Sequence, residues 1–157
     1  MQKGSDLVVS SCRILIADDH QPFRDIAKKI LQEKSNIEIV GEAVDAPGLF
    51  DMLQTFAPHI VILGLSLPEI TNGILTIEQV KKTCPAAKVL VLTLSKECDY
   101  LIQTICAGAD GCLLKEKVDT ELCRAVEMIE RGEVYISREF FHADTADTGR
   151  MGNSTHD

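Results

Sequence analysis

Apolar residues recur along this chain in two alternating rhythms. Short apolar-rich runs, Arg13-Ile14-Leu15-Ile16-Ala17, Ile37 to Ala43, Ile60-Val61-Ile62-Leu63, Val89-Leu90-Val91-Leu92 and Gly111 to Leu114, are each followed by a break in the pattern. Runs of this length and composition predict strands buried on both faces, as in a parallel sheet. Between them the apolar residues return at helical spacing: Phe23, Ile26, Ala27, Ile30 and Leu31, then Leu49, Met52, Leu53 and Phe56, then Ile77, Val80 and Cys84. Two more sets follow, Ile102, Ile105, Cys106 and Ala109, and Leu122, Ala125, Val126 and Ile129. These sets predict five helices that turn those residues inward and leave residues such as Arg24, Lys28, Lys29 and Gln32 on the other face. Pro22 suits a first helical turn, where its missing N–H costs nothing. Pro58 and Pro85 stop the second and third helices, and Gly132 caps the fifth. Five strand-helix repeats predict a doubly wound α/β domain, a five-stranded parallel sheet with helices on both faces. Val134-Tyr135-Ile136 reads as a short extended piece after the last helix.

The remaining properties bound this picture. The 157 residues suffice for one domain with a core, and 45% hydrophobic with 25% charged residues is ordinary globular composition. Residues 1–11 read as a polar leader, 12–138 as the domain, and 139–157 as a polar, disordered tail. A formal charge of -8 argues against nucleic-acid binding by this chain, because displacing phosphate counterions requires a basic face. No apolar stretch approaches the roughly 20 residues of a membrane span, and MQKGSDLVVSS lacks the apolar core of a secretory signal. The cytoplasm is the expected location. Six cysteines, Cys12, Cys84, Cys98, Cys106, Cys112 and Cys123, contain no C-x-x-C pair and read as reduced, buried or half-buried thiols.

Chemistry gathers at the strand ends. In a doubly wound sheet the loops following parallel strands converge on one edge, where ligands bind. Here those loops carry Asp18-Asp19 after the first strand, Gly64 after the third, Thr93 after the fourth and Lys115 after the fifth. Two acids, a hydroxyl and a lysine would therefore share a cleft. With the surrounding segments ILIADDHQPFR, EIVGEAVDA, ILGLSLP and AGADGCLLKE, this set resembles the receiver domain of bacterial two-component response regulators. The resemblance covers residues 12 to 138 and implies the CheY-like, flavodoxin-like fold. It is nearest to the NarL/FixJ/LuxR-type subgroup, whose receivers usually precede a helix-turn-helix domain. No such second domain is expected in these residues, so the chain reads as a stand-alone receiver or a fragment ending in a linker.

The resemblance implies that Asp18, Asp19 and the Ser66 carbonyl hold Mg²⁺, that Lys115 and Thr93 contact the phosphoryl group, and that residue 112 is a switch position. It also implies an aspartate acceptor at position 64, where the sequence has Gly64. Glycine has no side chain with which to attack phosphorus, and Ser66 and Glu69 are poor substitutes because a nucleophile must be held at near-attack distance. With two carboxylates in place of three, Mg²⁺ would bind weakly. Cys112 stands where switching receivers carry an aromatic residue. His20, His59, His142 and His156 have no ligand-spaced partners, and hard Mg²⁺ prefers oxygen. The leading expectation is a degenerate receiver that is not an enzyme and works through protein contacts with a histidine kinase, another response regulator or a second copy. Its fourth helix, fifth strand and fifth helix form the expected surface. A phosphorylatable regulator using another acceptor, and a small-ligand binder on the same fold, are the alternatives.

Overall fold

The computed structural model describes residues 11–65, 73–94 and 98–141. Six strands run in chain order: β1 (Cys12–Ala17), β2 (Ile37–Ala43), β3 (Ile60–Gly64), β4 (Lys88–Thr93), β5 (Gly111–Leu114) and β6 (Tyr135–Ile136). They alternate with helices α1 (Gln21–Gln32), α2 (Ala46–Phe56), α3 (Gly73–Thr83), α4 (Cys98–Cys106) and α5 (Val118–Glu130), and a 3₁₀ turn, Lys115–Lys117, joins β5 to α5. All pairings are parallel, in the order β2-β1-β3-β4-β5-β6. Chain order reverses between β1 and β3, so the switch point of the sheet lies where Asp18 and Gly64 emerge.

Alternation along the strands sorts the core into two layers. Leu15, Ala17, Val61, Leu63, Val89 and Val91 meet Leu49, Leu53, Ile77, Val80 and Leu101 from α2, α3 and α4. Ile14, Ile16, Ile60, Ile62, Leu90 and Leu92 meet Phe23, Ala27, Leu31, Leu122, Ala125, Val126 and Ile129 from α1 and α5. The successive side chains of a strand point to opposite faces, so continuous apolar runs supply both layers at once.

The structure corrects several expectations. The sheet has six strands, because the extended piece after α5 pairs with β5, with Tyr135 N–H donating to Asp110 O at 3.2 Å and Ser137 N–H to Cys112 O at 3.0 Å. The turn before it forms around Gly132, at φ 89, whose N–H donates to Ile129 O at 2.9 Å. On α4 the inward face is displaced by one residue: Leu101 and Thr104 are buried, whereas Ile102 is 53% exposed and Cys106 is exposed. On α1 Ile26 faces outward and Arg24 is buried, for a reason given below. Phe56 is exposed rather than inward. Gly73 is the first residue of α3. Residues 138–141 form a helical turn, and Phe140, in the stretch read as tail, is buried in the core. Five of the cysteines are described and are free thiols. Burial pushes Cys12 up to about 11 and Cys112 up to about 12, and the nearby Glu130 adds to the first shift. Among the described residues no helix is long and apolar enough to cross a membrane.

The seam between α5 and β6 is polar. Glu121 accepts from the Tyr135 hydroxyl at 2.7 Å and the Ser137 hydroxyl at 2.9 Å, and Ser137 Oγ accepts from Leu114 N–H at 3.2 Å. Ser137 is wholly buried. Removing the shared acceptor leaves two hydroxyls without their charged partner, so Glu121→Ala should cost about 1–3 kcal/mol. A urea unfolding curve checks this, and a midpoint equal to that of the parent would show that the seam does not hold β6.

Candidate functional site

Strand register brings the expected residues to one edge. Ala17 pairs with Leu63, Gly64 with Leu92, and Thr93 with Leu114, so Asp18, Gly64, Thr93 and Lys115 follow one another across the carboxyl ends of β1, β3, β4 and β5. Cys112 lies buried within β5, three residues before Lys115. Thr93 is 8% exposed, and the next residue, Leu94, is 79% exposed. Asp19 and His20 are exposed at the mouth. Ser66 and Glu69 lie outside the described residues, as do His142 and His156.

Asp18 is the centre of the cleft and is wholly buried. Its Oδ1 accepts from His20 N–H at 2.9 Å. Its Oδ2 lies 2.7 Å from Lys115 Nζ, an ion pair off the hydrogen-bond direction that leaves Oδ2 with no hydrogen-bond partner. The same oxygen lies against Gly64. A Cβ built there would overlap Asp18 Oδ2 and lie 2.9 Å from Asp18 Cγ. The carboxylate thus occupies room that any side chain at 64 would need. The Lys115 ammonium is 5.0 Å from the centroid of the Phe23 ring, close enough for a cation–π attraction.

A second layer fixes Asp18 from behind. Arg24 NH1 donates to the Asp18 carbonyl at 2.8 Å, and Arg24 Nε donates to Glu42 Oε1 at 2.8 Å. Glu42 Oε2 pairs with Lys28 at 2.6 Å. Arg24 is therefore buried because both ends of its guanidinium are satisfied. Helical periodicity assigned it to the solvent face. The signal that could have found it is its position six residues after Asp18, within reach of the β1 end, together with Glu42 at the end of the neighbouring strand. His59 also has a structural task, accepting at Nδ1 from Arg13 N–H at 2.9 Å at the opposite end of the sheet.

As arranged, the described residues of this cleft would hold Mg²⁺ poorly. A hard divalent ion seeks several oxygens with open access. Here Asp18 Oδ1 accepts from His20 N–H, Oδ2 faces the Lys115 ammonium without a hydrogen bond, and both oxygens are sealed from solvent, so Lys115 supplies the neutralising charge. Among the described residues no group of three or more potential metal-ligating side chains converges.

Two outcomes follow from this geometry. Removing one partner of a buried pair strands the other charge, so Lys115→Met should destabilise the fold by roughly 3–5 kcal/mol. Adding Asp18→Asn should recover part of that loss. Urea unfolding of parent, single and double variants measures both, and a single variant as stable as the parent would remove the pair from its central place. The second outcome concerns acid. The Lys28 hydrogen bond holds the Glu42 carboxyl below its ordinary value of 4.5 against the opposing effect of burial, with Arg24 assisting. A value lower in the folded than in the unfolded chain stabilises the fold above the ordinary value, and that contribution is lost as pH falls through the lower one. Melting temperatures followed from about pH 7 to about pH 3 should therefore fall more steeply for the parent than for Glu42→Gln. Parallel acid limbs would contradict this.

A family model described as the response regulator receiver domain matches residues 14–127. The chain is similar to the oxygen regulatory protein NreC of Staphylococcus carnosus, 30% identical over 149 residues, covering 92% of this chain and 69% of that protein. NreC of Staphylococcus epidermidis is 32% identical over 124 residues, and the match covers 79% of this chain but only 57% of that protein. Among solved structures, a LuxR-family two-component response regulator from Aurantimonas sp. SI85-9A1 superposes with a TM-score of 0.80 at 26% identity, covering 88% of this chain and 99% of that one. A structure of RcsB dimers bound to DNA superposes with a TM-score of 0.78 at 25% identity, covering 85% of this chain and 67% of that one.

Proposed function

The chain belongs to the response regulator receiver family, and on that premise we propose that it is a pseudo-receiver: a two-component signalling module that acts by protein contact and does not carry a phosphoryl group. The observation that carries the reading is the position of Asp18 Oδ2, packed against Gly64 and paired with Lys115. A receiver that accepts phosphate needs a nucleophilic carboxylate, a cation opposite it and a metal site beside it. In this reading Gly64 stands at the acceptor position and Asp18, otherwise a metal ligand, has taken the lysine for itself. Asp19 and the Ser66 carbonyl remain as further remnants of the metal site, and Mg²⁺ binding is correspondingly weak. Thr93 keeps its place, while Cys112 supplies no aromatic switch.

Partners follow from the same reading. A module without its own phosphorylation works by docking, to a histidine kinase, to another response regulator or to a second copy of itself. The face of α4, β5 and α5 is the proposed surface, and Leu94 and Ile102 are exposed apolar residues beside it and on it. The net charge of -8 argues against direct nucleic-acid contact by these residues.

The test is intact mass after incubation with Mg²⁺ and acetyl phosphate, for the parent and for Gly64→Asp. The parent should gain nothing. The variant must first turn the Asp18 carboxylate away from residue 64, which frees Lys115 to pair with the new side chain, and it should then gain the mass of one phosphoryl group. A parent that gains this mass would overturn the reading in favour of a phosphorylatable regulator with another acceptor.

A further inference from the structure

Among the described residues no strand pairs with the outer side of β6, so the sheet ends there. A groove of about 670 Å³ runs along that edge, lined in sequence by Val134, Tyr135 and Ile136. Helix α5 contributes Arg124 and Met128, four residues apart and therefore on one helical face. The helical turn after β6 contributes Arg138 and Phe141, three residues apart. Each flank thus pairs one arginine with one apolar side chain. Tyr135 N–H and Ser137 N–H donate to the β5 side, so the peptide groups of Ile136 between them point away from it, toward the open edge.

The charges of this groove are not balanced from within. The chain carries 24 acidic and 16 basic residues, yet neither Arg124 nor Arg138 has an ion-pair partner among the described residues. The acids beside them are committed elsewhere. Glu121 lines the same groove, but its Oε1 accepts from the Tyr135 and Ser137 hydroxyls. Glu127, three residues after Arg124, pairs with Lys34 at 3.5 Å, and Glu139, next to Arg138, pairs with Lys117 at 3.4 Å. Burial raises the Tyr135 phenol above its ordinary value, the Glu121 bond adds to this and Arg124 opposes it, which places the arginine charge close to the strand. Val134 and Phe141 are each 52% exposed, so apolar surface and unpaired cationic charge stand open together.

We propose that this groove docks an extended acidic peptide segment of a partner protein, one that sets two carboxylates around an apolar side chain. The two guanidiniums take the carboxylates through charge-assisted hydrogen bonds. The apolar side chain enters between Met128, Val134 and Phe141, and taking that surface out of water supplies the apolar part of the affinity. The Ile136 peptide groups bond the main chain of the segment, as an open sheet edge does for an added strand. The groove shares α5 with the face of α4, β5 and α5 but contains no residue of α4 or β5. Docking here requires neither phosphoryl transfer nor its absence, so this site and the pseudo-receiver reading can fail separately.

The test begins with selection from a library of random peptides of about 12 residues on the immobilised whole chain, counted against selection on Arg138→Glu. Sequences with two acids around a leucine, phenylalanine or tryptophan should be enriched about tenfold on the parent. Enrichment of neutral or basic sequences, or none over the variant, would overturn the proposal. A selected acidic peptide carrying fluorescein is then titrated by anisotropy. Its affinity should fall about tenfold in Arg124→Glu and in Arg138→Glu, about threefold in Val134→Ser, and further as salt rises from about 50 to about 300 mM. Unchanged affinity in the charge variants would reject the site. Urea midpoints of the variants should equal that of the parent, and midpoints lowered in step with affinity would assign these residues to the fold instead. Self-association of the parent that Arg138→Glu abolishes would give the groove to a second copy, and binding of a labelled DNA duplex lost in the same variant would give it to nucleic acid. Either result overturns the acidic-peptide assignment.

Discussion

A carboxylate sealed from water requires a cation, and in this domain one lysine meets that requirement for the whole switch point of the sheet. Asp18 is wholly buried between the ends of β1 and β3, and Lys115 reaches it from the end of β5, two strands beyond β3. Without that reach the acid would have to be neutralised by protonation or by an ion from solution. The rest of the cleft is arranged around the pair: Phe23 lies under the ammonium, His20 donates its N–H to the other carboxylate oxygen, and Arg24 grips the carbonyl of the same residue. The absence of a side chain at Gly64 is what allows the acid to take this position.

The layered fold was legible because its signal is redundant. The runs of β1, β3, β4 and β5 are apolar on both faces and bounded by breaks, and α5 shows Leu122, Ala125, Val126 and Ile129 buried as their spacing predicts. Legibility fell where a polar side chain is buried by partners distant in sequence. Arg24 reads as a solvent-facing residue until Asp18 and Glu42 are brought beside it, and its burial turns Ile26 outward. On α4, Ile102 outranks Thr104 in hydrophobicity, yet the threonine can return its hydroxyl to Tyr100 O and lie buried. The stretch Val134-Tyr135-Ile136 reads as extended, but so short a piece carries no signal of its pairing, and its place is fixed by bonds to β5 and by Glu121.

The cleft residues were legible in type and edge, because strand register alone brings Asp18, Gly64, Thr93 and Lys115 into a row. What sequence could not show is which acid the lysine would choose. That choice is set by atomic room: a side chain at 64 competes with Asp18 for one space, and glycine concedes it.

The turn after β6 has a mechanical consequence. Phe140 is sunk into the core on the α2–α4 side, only four residues after the end of β6, while Ser137 is bonded to Glu121 and Leu114. The polypeptide is thus anchored on both faces of the sheet just before residue 142. Any force applied along the chain beyond that point meets the core directly, and would load Phe140 and β6 before it reached β5, the strand whose far end leads to Lys115.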